Sequence, residues 1–197
     1  MKTRILSCAV LSTLLILSCP PARAEGVPDD YLAGIVENYD GNSLTLLRSD
    51  EGAEQPVAVT VGVEPGRLLG EYAEELTALS AGDDVVIGHA ESPTGPVLRS
   101  LVRLGRSGDD LPGEVAEAHR EALLSVFRDN WMRAAAQCRR TVDHLRAAAA
   151  QAQDARGALV TEAAAELEQA ALRLEKGQEA SWRDVHRCYL KARRSLS

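Results

Sequence analysis

The side chains with the most chemistry in them cluster toward the C-terminus of this 197-residue chain: Cys138, His144, His186 and Cys188, interspersed with arginines. Each histidine lies close in sequence to a cysteine, which raises the question of a Cys/His metal site. Helix geometry argues against it. His144 is six residues from Cys138, about 240° round a helix, and His186 is two residues from Cys188, about 200° round. Each histidine is therefore expected to face away from its cysteine and toward solvent, and the isolated His89 and His119 receive the same reading. The cysteines form no Cys-x-x-Cys element and sit on apolar stripes, with arginines the only nearby groups that would lower a thiol pKa. The expectation is a structural Cys138–Cys188 disulfide, ahead of buried free thiols and of a redox or intermolecular pair.

Four cations, Arg183, Arg187, Lys191 and Arg194, recur at helical spacing and make one basic face suited to an anionic surface or an acidic partner. Arg139, Arg140 and Arg146 would extend it if their helix were a neighbour. The competing reading is a solvated face partly neutralised by the protein's own acidic half. Trp131 and Trp182 fall on the apolar stripes and are expected as core anchors. The acidic pairs Asp83–Asp84 and Asp109–Asp110 fall at turns, where solvated caps are expected. There is no phosphate-binding glycine loop, His-Glu-x-x-His, serine elbow, haem-attachment motif or dinucleotide fingerprint. No catalytic residue, metal ligand or cofactor is therefore assigned.

The elements that must position these groups follow from periodicity. Leu124, Phe127, Trp131, Ala134, Cys138, Thr141, Leu145, Ala148 and Ala152 recur at steps of three and four, as on the buried stripe of one helix. Val160, Ala163, Leu167, Ala170 and Leu174 continue the rule one residue out of phase. A break is expected between Gln153 and Leu159, where Asp154 suits an N-cap and Gly157 a turn. Gly177 then ends the second helix, and Ser181 with Asp184 starts a third, striped by Trp182, Val185, Tyr189, Ala192 and Leu196. In such an up-down-up, three-helix bundle Cys188 climbs about 10 Å above Ser181 and comes level with Cys138. The bundle and the disulfide therefore stand or fall together.

At the other end, Lys2 and Arg4 precede an apolar run from Ile5 to about Leu17, closed by Ala22-Arg23-Ala24. This reads as an export signal over residues 1–24, cleaved after Ala24. A lipoprotein box around Cys19 is the competing reading, and membrane anchoring would follow only from its lipidation; Pro20 directly after the cysteine makes the pattern poor. Residues 25–111 carry 17 acidic and 5 basic side chains, residues 112–197 carry 12 and 14. With composition changing at the same point, an α+β chain of two domains is expected: an acidic domain over 25–111 including its linker, and a helical bundle over 112–197.

The acidic part reads as short strands. Asp40-Gly41 marks a hairpin, Val57, Val59 and Val61 alternate, 70–79 suits a short helix, and Val85-Val86-Ile87 and 96–104 supply the last two strands. Five strands with an interposed helix suggest a small OB-like barrel. Gly34-Ile35-Val36, Asp40-Gly41, Leu44-Thr45-Leu46 and the Leu79-Ser80-Ala81-Gly82-Asp83-Asp84-Val85 element resemble a small β-barrel domain of unknown function found in exported bacterial proteins. The resemblance covers residues 30–105. It implies a barrel and export, and no activity.

Nucleic acid is not expected as a partner: the net charge is −7, and the barrel segment lacks a basic groove with interleaved aromatics. The functional expectation is an exported, periplasmic or secreted, non-catalytic binding, adaptor or sensory-accessory protein whose partner is another envelope protein. Cation handling by the acidic barrel and an enzyme with an unrecognised site are the alternatives.

Overall fold

The computed structural model describes residues 28, 30–48, 55–64, 66, 68, 70–106, 111–152, 155–178 and 180–196. The expected signal segment, its cleavage point at Ala24, Cys19, and the residues Asp109, Asp110 and Asp154 lie outside the described residues. The chain is α+β. Strands β1 (Asp30–Tyr39), β2 (Ser43–Arg48) and β3 (Val57–Gly62) precede helix α1 (Gly70–Thr77), strands β4 (Asp83–Ala90) and β5 (Val97–Arg106), and helices α2 (Gly113–Phe127), α3 (Trp131–Gln151), α4 (Ala155–Glu175) and α5 (Trp182–Leu196).

The five strands form one sheet that closes into a ring in the order β1-β2-β3-β5-β4. All neighbours are antiparallel except β3 and β5, whose parallel closure rests on the pair Gly62–Val97. The β1–β2 hairpin turns at Asp40-Gly41, as expected. Gly41 has φ +93°, and the Asp40 carboxylate accepts from the Ser43 and Asn42 amides at 2.7 and 2.8 Å, fixing the turn that sets the register. Period-two alternation sends Val36, Leu44, Leu46, Val61, Val85 and Ile87 to the interior, and a register shift in β5 between Leu98 and Ser100 lets Leu98 and Leu101 both join them, with Leu68 and Leu76.

Val86 on β4 and Val102 and Leu104 on β5 point the other way and are equally buried, because the helices cover that outer face. This is why β4 and β5 read as nearly continuous apolar runs instead of alternating ones. The helical core is therefore continuous with one face of the sheet, and this apolar contact crosses the expected boundary between residues 111 and 112.

The helical part corrects the expected three-helix bundle: its described residues form four helices. The stripe from Leu124 to Ala152 is divided at Arg128–Asn130. Asp129 takes φ +54°, and the Asn130 side chain caps α3 by accepting from the Arg133 amide at 3.2 Å. The break hid in the sequence because the short connection preserves the three- and four-residue spacing of Phe127, Trp131 and Ala134. The second break falls near the place that the phase change indicated, with α3 ending at Gln151 and α4 starting at Ala155. Gly157 is not its turn residue. It lies in the first turn of α4, where an added Cβ would come within 2.7 Å of the Ala152 carbonyl oxygen and 2.8 Å of that of Ala149. Gly177, with φ +67°, ends α4 as expected.

Successive helices pack on one another, and α5 returns to pack on α2, which also lies against β1 and β4. This cycle leaves α3 and α5 on a diagonal. Among the described residues, no helix is long and apolar enough to cross a membrane.

Candidate functional site: the outer groove of α5

Helix α5 is amphipathic in an uneven way. Val185, Cys188, Tyr189 and Ala192 are buried in the helical core and anchor it. Ser181 caps its start, accepting from the Arg183 amide at 3.2 Å. Beside this stripe run two parallel four-residue rows, Trp182–His186–Leu190–Arg194 at the edge of the core and Arg183–Arg187–Lys191–Ser195 farther out. All eight side chains, with Leu159 of α4, line a cleft of about 650 Å³.

The four cations expected to share a face do so, and they line one cleft. Its floor is apolar: Trp182 and Leu190 are half-buried, and Leu159 is 45% exposed. The Arg183 guanidinium stacks over the Trp182 ring at 4.9 Å from its centroid. Among the described residues, no carboxylate lines the cleft. Two of the cations are held from its edge: Lys191 bonds Glu166 at 2.7 Å and Glu162 at 3.0 Å, and Arg187 bonds Asp184 at 3.1 Å. The hydrogen bonds to these carboxylates raise the Lys191 ammonium pKa above its ordinary value. The neutralising acids thus come from α4 and from α5 itself, not from the barrel. Arg139 and Arg146 pair with Glu175 and Glu168 of α4, at 2.6 Å each, and do not extend the α5 face.

Behind the groove stands a group that the sequence reading placed in solvent. His186 is only 8% exposed and His119 of α2 is completely buried, with His119 Nε2 3.2 Å from His186 Nδ1. Their rings stack at 5.5 Å, and His119 stacks on Tyr189 at 4.1 Å. Burial is the first cause that keeps both neutral: it lowers the His186 pKa to about 4, and it lowers His119 well below the ordinary value with help from the neighbouring imidazole. Aromatic contacts continue from His186 to Trp182 and from there to Phe127, Tyr31 and Tyr72, joining α5 to α2, β1 and α1.

Sequence reasoning missed the pair because it measured His186 against Cys188 of its own helix and treated His119 as isolated. His186 sits next to Val185 at the edge of the α5 stripe, and His119 follows the buried Ala118, which were the available signals. His144 is half-buried and has no counterpart in this cluster. Trp131 and Trp182 both pack on the helical core, though neither is fully enclosed.

The disulfide expectation is corrected. Cys138 and Cys188 are both buried free thiols. The expectation assumed three helices, with the first and last side by side. The fourth helix puts α2 next to α5 and moves α3 to the diagonal position, so the two cysteines face a common core without bridging it. Cys188 instead donates to the Asp184 carbonyl oxygen at 3.1 Å. Burial raises the Cys138 thiol pKa to about 12, so it stays protonated.

Asp83 and Asp84 are also corrected, since neither is a solvated cap. Both are buried; Asp83 receives Arg103 at 2.9 Å and Asp84 receives Arg120 of α2 at 3.0 Å. Asp84 thereby ties β4 to the helical layer, while Asp83 also accepts from the Ser80 amide within its turn. Burial raises the Asp84 pKa, and Arg120 acts against that shift.

Among the described residues, no group of three His, Cys, Asp or Glu side chains is arranged to hold a metal ion. No protein-family model, curated protein or solved structure gives a significant match to this chain.

Proposed function

We propose that this protein is an exported, non-catalytic binding or adaptor protein of the bacterial envelope, acting through protein contacts. In this reading an OB-like barrel forms the body of an N-terminal part and the groove of α5 docks an acidic helix of a partner. The observation that carries the docking is the pair of rows on α5. Two adjacent four-residue ridges leave between them the kind of groove into which a side-chain ridge of another helix packs. Here that groove has an apolar floor, four cations and, among the described residues, no carboxylate in its lining. Charge complementarity therefore selects an acidic segment, and the apolar floor selects one with an apolar side chain beside its acids. The helix's own apolar stripe is consumed by the core, which leaves no broad apolar face for insertion into a lipid surface.

The barrel supports the OB-like reading through its ring order and through the place of α1, between the third and fourth strands. Export rests on the sequence signal and on the resemblance to exported barrel domains.

The test is affinity capture from envelope extract with the full mature chain, comparing wild type with the Arg187→Glu/Arg194→Glu double variant. A protein retained by the wild type, lost from the double variant and weakened by salt is the expected result. Equal capture by both would mean that α5 is not the docking surface. Intact mass of the protein from the producing cell should begin at Glu25, and retention of Met1 would end the export reading.

A further inference from the structure

Resting on the docking reading above, we propose that His186 is a direct carboxylate-binding residue at the centre of the α5 groove, and that His119 is the positioning residue which fixes its donor toward the ligand. The groove would thus take an acidic segment with one Asp or Glu carboxylate seated on the His186 Nε2–H. An apolar neighbour of that carboxylate would rest on Trp182 and Leu190.

The argument starts from the place of His186 in its row. It lies between Trp182 and Leu190, one turn from each, and beside Arg183 and Arg187 in the cationic row. With the Trp182 indole N–H, it is one of two hydrogen-bond donors among these three lining residues. A carboxylate drawn in by the rim cations meets this imidazole next.

Which ring nitrogen carries the proton then decides whether the contact is attractive. The inner nitrogen, Nδ1, faces His119 Nε2 at 3.2 Å, so one of the two donates. The other nitrogen of His119, Nδ1, is buried without a hydrogen-bond partner. A buried donor without an acceptor is rarer and costlier than a buried acceptor lone pair without a donor. His119 therefore keeps its proton on Nε2 and donates it to His186 Nδ1. That choice leaves His186 with its proton on Nε2, the nitrogen away from His119. A neutral imidazole so fixed is a hydrogen-bond donor to an anion, and a second-layer partner of this kind sets the tautomer.

The charged and titratable groups around the pair are consistent with a neutral donor. From α2 the neighbour is His119; from α5 they are Arg183 and Arg187 at the rim and Tyr189 beneath. From α4 the groove receives Leu159, while Glu162 and Glu166 are engaged by Lys191. Burial of the ring opposes protonation.

The probe is a fluorescein-labelled synthetic helix with Glu and Leu on one face, titrated by anisotropy at pH 7 into the mature chain. Wild type should bind, and Arg187→Glu/Arg194→Glu should not. His186→Phe should weaken binding about tenfold, as expected for one hydrogen bond to a charged group. His186→Gln, whose amide places an N–H near the same position, should recover affinity to within about twofold. Nitrogen-15 NMR of imidazole-labelled wild type should show His186 as the neutral Nε2–H tautomer, with the Nε2 resonance shifting on peptide binding. His119→Phe should shift that tautomer balance while melting cooperatively.

Equal affinity of His186→Phe and wild type, or equal losses in the Phe and Gln variants, would overturn the contact while leaving the docking reading intact. A His186 found with its proton on Nδ1 would overturn the role of His119. Failure of wild type to bind the helix would remove the docking reading and this contact together.

Discussion

The inside of the sheet ring and the seam between the ring and the helices are both buried, yet they are built from different materials. Among the described residues, the fully buried side chains of the ring interior are Val, Leu and Ile, with Tyr39 and Tyr72 packed at its margin. The seam mixes Val86, Val102 and Leu104 with the Asp84–Arg120 ion pair, the His119–His186 pair and a chain of stacked aromatics. Arg193 of α5 adds a bond to the Leu104 carbonyl oxygen at 2.7 Å. A strand ring satisfies its backbone internally and needs only volume in its core. Two layers that must meet in one orientation need directional contacts, which an all-aliphatic seam lacks. The polar groups therefore collect where the layers join, and α5 reaches both the seam and the solvent-facing groove.

The comparison can be broken most strongly from the ring side. Ile87 is fully buried there, and Ile87→Ala should lower unfolding stability by about 4 kcal/mol at any pH between 5 and 8. Chemical denaturation at several pH values measures this. A loss that changed steeply with pH would mean that the ring and seam are not separable in kind.

The seam should respond to pH instead. Both histidines have pKa values depressed below the unfolded value, so the folded state resists protons that the unfolded state accepts. The stability they contribute is complete above about pH 6.5 and is lost as the pH falls toward the His186 value of about 4. For His186 the loss is on the order of 3 kcal/mol. His186→Phe should flatten the curve of stability against pH over that window, and a slope unchanged in this variant would show that the imidazole is not buried neutral.

The smallest effect concerns the thiols. Reductant should leave the melting curve unchanged, and alkylation after non-reducing denaturation should label both Cys138 and Cys188. A monomer mass lighter by two hydrogen atoms, with neither thiol labelled, would show that the helices can bring the diagonal pair together.

Legibility in the sequence follows the range of the interactions. The β1–β2 hairpin was readable because Asp40 and Gly41 make the turn with bonds three residues apart. The end of α4 was readable because Gly177 supplies a positive φ. The phase slip between the stripes of α3 and α4 marked the break, whereas Gly157, read as its turn residue, lies inside α4. The division between α2 and α3 was not read, although Asp129-Asn130 carried the signal, because the apolar spacing ran through it without interruption. That one missed helix had long-range consequences: it removed the basis for the Cys138–Cys188 bridge and left His119 unplaced.

The sequence by itself determined the strand and helix types, the hairpin, most of the buried stripes and the grouping of Arg183, Arg187, Lys191 and Arg194 on one helical face. These depend on dihedral preferences and on periods of two and 3.6 residues, which act within a few positions of the chain. Tertiary structure alone decided which helix lies beside α5, that Asp84 is buried against Arg120 instead of solvated, and that His186 stands between a buried imidazole and an open groove. Those outcomes depend on contacts between residues 36 and 67 positions apart, where local preference carries no information and the packing of whole layers chooses the neighbours.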